Sequence, residues 1–118
     1  RGEEPFRNHP KVEPAWAGQP YWVSEYGGIW WNPGQADSKS WGYGDRPRTV
    51  AEYLQRYRTL TEALLRNPRM TAFCYTQLYD VEQEVNGIYY YDRRPKFDAE
   101  AMPEIRRINS QKAAIEEE

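Results

Sequence analysis

Apolar positions recur with two different periods along this chain, and the change from one to the other marks its elements. Gln19 to Glu25 is a short apolar run after Gly18 and Pro20, rich in aromatic and β-branched residues. Such a run reads as a strand, here over Tyr21 to Ser24, with Gly27-Gly28 ending it. From Thr49 to Arg66 the spacing becomes helical. Val50, Tyr53/Leu54, Tyr57, Leu60/Thr61 and Leu64 form one apolar stripe. Thr49 and Glu52 have the spacing of a capping box, and Asn67-Pro68 stops the helix. Met70 to Leu78 reads as a second strand. It alternates little, as strands buried on both faces do. Gly87 to Tyr91 is a short extended piece, and a weaker helix is expected over Pro103 to Asn109, with Pro103 in its first turn.

Strands alternating with helices predict a parallel sheet in two β/α units. Two strands cannot cover their own faces, so the chain is expected to need further structure around it. Residues 1–18 read as a Pro-rich, charged leader without period. Ile29 to Arg48 reads as a long loop, and its aromatic content argues for function. The chain begins with Arg1 rather than Met and reads as a piece of a longer protein. The tail Glu116-Glu117-Glu118 reads as a solvated end.

Composition sharpens this picture. Mean hydropathy is low at −1.02, yet aromatic residues make up 15% of the chain. Disordered chains are poor in aromatics. Surfaces that handle sugars need both flat apolar rings and polar partners for hydroxyls. A net charge of −2 leaves no broad cationic surface for a phosphate backbone, so nucleic acid is not an expected partner. No apolar run approaches the length of a membrane span. The single cysteine, Cys74, excludes an internal disulfide and reads as core packing in a buried strand. His9 is the only histidine and has no metal-ligating neighbours at useful spacing, so neither a metal nor a cofactor is expected. Lys96, Arg93 and Arg94 form a small basic cluster expected to cap a loop and pair with acids. The compartment is not legible.

Glu25 is the residue most suggestive of chemistry. It closes a strand just before a glycine pair that lets a ligand approach the backbone. Alternation sets it with Val23 on the inward face, opposite Trp22 and Ser24. A carboxylate there is costly unless it has a partner or a task. On position alone, a buried Glu paired with a distant Arg and a catalytic Glu are equally supported.

Three ordered blocks favour the second reading. Ser24-Glu25-Tyr26-Gly27-Gly28, on a strand preceded by Gln19-Pro20, resembles the nucleophile motif of glycoside hydrolase family 2, which includes β-galactosidases, β-glucuronidases and β-mannosidases. Phe73 to Leu78 is similar to that family's eighth barrel strand. Asn86-Gly87-Ile88, with Asp92-Arg93 and Pro95, is similar to the segment that follows it. The resemblance spans 19–97. It implies an α/β fold, a fragment of a (β/α)8 TIM barrel comprising the last two β/α units, strands 7 and 8, with 98–118 as terminal helix and tail.

The resemblance also implies a mechanism. Glu25 would be the nucleophile of a retaining β-glycosidase, forming a covalent glycosyl-enzyme. The family's acid/base follows an Asn, and no Asn-Glu pair occurs in this chain. The acid/base is therefore expected outside it, and the chain alone is expected to be inactive. Asp80, Glu82 and Glu84 follow the second strand, but the family pattern gives them no such role, and loop structure is the favoured reading. Trp30, Trp31, Tyr75, Gln77 and Asn86 are the candidate substrate contacts, with Tyr43 and Asp45 weaker. Tyr75 stands where family members often carry a Trp. Asn86 stands where glucuronide-acting members carry a Lys, and a neutral amide cannot supply that charge-assisted bond. A carbohydrate is the expected ligand, and the rest of a longer chain or self-association the expected cover for exposed faces. The alternative is a non-catalytic carbohydrate-binding module that uses the Trp and Tyr cluster.

Overall fold

The structure is a computed structural model that describes residues 7–34 and 39–117. Those parts of the leader, loop and tail readings that fall on 1–6, 35–38 and 118 lie outside the described residues. In chain order the elements are β1 (Tyr21–Gly27), α1 (Val50–Leu65), β2 (Met70–Thr76), α2 (Ala101–Asn109) and a terminal 3-10 turn (Ala114–Glu116). β1 and β2 pair in parallel as a two-stranded sheet.

Each element has a local cause. The Thr49 hydroxyl caps α1 by accepting from the Glu52 amide at 3.1 Å. The Glu52 carboxylate accepts from the Arg48 amide at 2.6 Å, one residue before the position a capping box requires. The buried stripe of α1 is Tyr53, Tyr57, Thr61 and Leu65, while Val50 and Leu60 are exposed. α2 starts at Ala101, two residues before the expected Pro103. The Asp98 carboxylate accepts from the Glu100 and Ala101 amides and satisfies donors at its start. Ala101, Ile105 and Ile108 form its buried face.

The barrel expectation is overturned. Each strand has seven residues and one strand partner, and two helices and a two-stranded sheet are too little regular structure for two β/α units of a (β/α)8 barrel. The extended piece at Gly87–Tyr91 does not join as a strand. It makes only isolated bridges, Tyr89 to Tyr79 and to Pro95. The physical reason lies in the loops. Ile29 and Trp31 from the first loop, and Ile88 and Phe97 from the second, supply the apolar cover for α1 and α2. Loops and helices thus close a small core without further strands. One face of the sheet packs against α1 through Tyr26 and Tyr75, with the Phe73 ring edge-on to Tyr26. The other stays open, with Trp22, Ser24, Ala72 and Cys74 exposed. Cys74 is accordingly not a core residue.

Candidate functional site

The sheet carries an irregularity at the residue that matters most. Val23 pairs with Phe73 and Tyr26 with Tyr75, so β1 advances three residues where β2 advances two. The extra residue is a β-bulge, which re-aims side chains. Tyr26 therefore takes the α1-facing position that unbroken alternation gives to Glu25. Glu25 is exposed instead, and the inward placement expected from its parity with Val23 is corrected. Among the described residues its side chain has no hydrogen bond or ion pair. It lines an open cavity of about 350 Å³ with Tyr26, Gly27, Tyr43 and Thr76.

The backbone after Glu25 is shaped by two glycines in the left-handed region. Gly27 has φ +85°, and a Cβ there would lie 2.3 Å from the Tyr75 ring. Gly28 has φ +57°, and a Cβ would lie 2.3 Å from the Tyr43 ring. Only glycine admits both rings this close to the main chain. Tyr75 supports the turn from below. Its hydroxyl accepts from the Ile29 amide at 3.2 Å and lies 2.9 Å from the Tyr53 hydroxyl. Tyr26 reaches Thr61 at 2.9 Å, and Tyr57 donates to Asn109 at 2.8 Å. Burial between sheet and helix raises the phenol pKa of all four tyrosines; that of Tyr75 is pushed up to about 12.

The candidate contacts scatter. Trp31 is 6% exposed and packs on Tyr53 and Phe97, so its ring is committed to the core. Trp30 is half-buried, with the Arg46 guanidinium 5.7 Å over its ring. Tyr75 lies on the α1 side of the sheet, beneath the Glu25 turn. The Gln77 amide donates to Asn86 at 2.9 Å, and Asn86, fully buried, donates to Glu84 at 2.9 Å. That chain ends on the Glu84 carboxylate, and none of its three members lines the Glu25 cavity. Of the six residues named from sequence, Glu25 alone lines the cavity, and Tyr43 joins it from the weaker candidates. Asp45 is exposed.

Sequence reasoning missed a buried ion pair. The Lys96 ammonium, with a side chain 0% exposed, donates to Asp80 at 2.5 Å and to the carbonyls of Trp31 and Val85 at 2.6 and 3.3 Å. Asp80 also accepts from the Gly87 amide at 2.9 Å. Burial pulls the Lys96 pKa down while Asp80 pushes it back up. Lys96 does pair with an acid, as does Arg94 with Asp92. Asp80 is thus a structural acid, while Glu82 stays exposed in the following turn.

A larger cavity of about 600 Å³ opens at the opposite end of the sheet, where Leu65, Met70 and Phe73 meet the segment after α2. It contains no residue of the Ser24–Gly28 motif. Among the described residues no cluster of His, Cys, Asp and Glu could hold a metal ion, and no helix is long and apolar enough to cross a membrane. No protein-family model matches the chain, and no curated protein matches it.

Proposed function

We propose that this chain contributes the nucleophilic carboxylate, Glu25, of a retaining β-glycosidase whose acid/base comes from outside the chain. The observation that carries the reading is the state of Glu25. It is an exposed carboxylate at the end of a strand, without a neutralising partner among the described residues, in a cavity shared with a tyrosine and a threonine hydroxyl. A free carboxylate can attack an anomeric carbon, whereas one locked in an ion pair would first have to give that pair up. In the first step the Glu25 oxygen bonds to the anomeric carbon and the glycosidic oxygen leaves, taking a proton from the second carboxylic acid. Water, deprotonated by that same group, then releases the sugar. The two carboxyl groups must come within ~5–5.5 Å for this retaining route.

The test is covalent trapping. The full-length protein carrying this chain is incubated with a panel of 2-deoxy-2-fluoro β-glycosides and the labelled peptide is mapped by mass spectrometry. A label on Glu25 is expected, and the reactive sugar names the substrate. A label on another carboxylate overturns the assignment. The chain by itself is expected to release no aglycone from aryl β-glycosides.

The alternative of a non-catalytic carbohydrate-binding surface draws on a separate observation: Trp41 and Tyr43 are 44% and 52% exposed, their rings meet, and Tyr43 lines the cavity with Glu25. It predicts saccharide binding that survives Glu25→Gln, with no covalent label from any sugar.

A further inference from the structure

Trp41, Gly42 and Tyr43, of which Tyr43 is a weaker candidate from the sequence, form a built strip that reaches the Glu25 cavity through Tyr43. The Tyr43 amide donates to the Gly28 carbonyl at 2.8 Å, and Ile29 and Tyr43 form a parallel bridge. The Trp41 amide donates to the Gln83 carbonyl at 2.8 Å, and its carbonyl accepts from the Val85 amide at 2.9 Å. The strip is therefore stitched on one side to the backbone just past Glu25 and on the other to the loop after β2. Gly42 lies flat on the Trp30 backbone, where a Cβ would come within 2.4 Å of the Trp30 Cα. The two rings meet edge to face, with centroids 5.8 Å apart and planes at 86°. Large exposed aromatics on a main chain so fully bonded are pre-organised, and a ligand that stacks on them has little ordering entropy to overcome.

We infer that Tyr43, braced by Trp41, is the stacking platform that holds a sugar ring over Glu25. This rests on the carbohydrate reading above and assigns it the residues that bind. The cavity offers what one pyranose ring requires. An aromatic face meets the C–H side of the sugar, the Thr76 hydroxyl and the Glu25 carboxylate meet its hydroxyls, and the glycine at 27 keeps the backbone close. Trp31, the ring nearer in sequence, is committed to the core. Specificity is then set by a residue 18 positions beyond the nucleophile, brought to it by the Gly28 contact.

The experiment measures binding apart from chemistry. Methyl β-glycosides of galactose, glucose, mannose and glucuronic acid are titrated into the full chain by saturation-transfer NMR. Tyr43→Ala is expected to weaken the best of them by about tenfold, the size of one lost stacking contact. Tyr43→Phe keeps the ring and is expected to bind like the wild type, which separates a lost platform from a lost fold. Tyr91→Ala, at a ring 74% exposed elsewhere, is expected to change nothing. Unchanged binding by Tyr43→Ala, or no binding by any of the four glycosides, overturns the platform. The trapping experiment reads the other claim: Tyr43-dependent binding without a label on Glu25 would remove the nucleophile and leave the platform standing.

Discussion

Glu25 lies near the end of β1 and Asp80 beyond the end of β2, yet the two carboxylates are held in opposite ways. Asp80 is 5% exposed, bonded to the Lys96 ammonium and to the Gly87 amide, and surrounded by the loops that form the core. Glu25 is exposed in an open cavity with no counter-charge among the described residues. A buried charge must be compensated at every moment, so Asp80 is spent on architecture. An exposed charge is stabilised by water and stays available to an incoming group. Sequence position at a strand end does not separate these outcomes. What separates them is whether the neighbouring loop folds over the carboxylate or turns away from it, and the glycine pair after Glu25 turns the chain away.

Breaking the Asp80 side should have the largest effect. Lys96→Met leaves Asp80 buried without its cation and is expected to cost about 3–5 kcal/mol in urea denaturation, a large fraction of the stability of a domain this size. Asp80→Leu combined with Lys96→Met should recover part of that loss, because the orphaned charge is gone. Equal losses in the single and double variants would show that the pair is not what holds the two loops.

A third carboxylate lies between the extremes. Glu104 on α2 accepts from Arg107 and pairs with Arg58 of α1. The Arg107 hydrogen bonds, followed by the Arg58 bond, hold its carboxyl well below the usual range, at about 2. Its contribution is therefore present above the ordinary carboxylate pKa and disappears as pH falls through about 2. Melting temperature should fall from pH 4.5 towards pH 2, with a shallower fall in Glu104→Gln. Identical slopes would mean that the surface pairing leaves α1 and α2 unaffected.

The smallest effect on stability belongs to Glu25. Glu25→Gln is expected to change unfolding free energy by no more than about 0.5 kcal/mol while abolishing covalent labelling. A loss comparable to that of Lys96→Met would erase the contrast between the two acids and make Glu25 structural.

The contrast also shows which features a sequence can carry. α1 was legible because cap, stop signal and stripe are local. Its stripe ended on Leu65 rather than Leu64, and Val50 and Leu60 fell outside it, because a neighbour covers an arc, not every apolar residue near it. The Glu25 parity was not legible. The bulge at Ser24–Glu25 is set by pairing with β2 and leaves no mark in β1 itself. The burial of Trp31 was not legible for a different reason. Aromatic content signals both stacking platforms and core, and a ring with Tyr53 and Phe97 in reach gains more by burial. The two β/α units were read from element order and the barrel around them from the family resemblance, and neither says whether loops or further strands cover the core. Lys96 and Asp80 find each other across 16 residues, with no periodicity to announce it.

The four tyrosines between sheet and α1 give the molecule an optical property of its own. Their phenols resist ionisation while that interface is intact. The stability they lend is whole below the ordinary tyrosine pKa and drains away as alkali reaches their raised values. Phenolate absorbance from these four rings should therefore appear together with the loss of the fold, so that an optical signal of ionisation also reports the parting of helix from sheet.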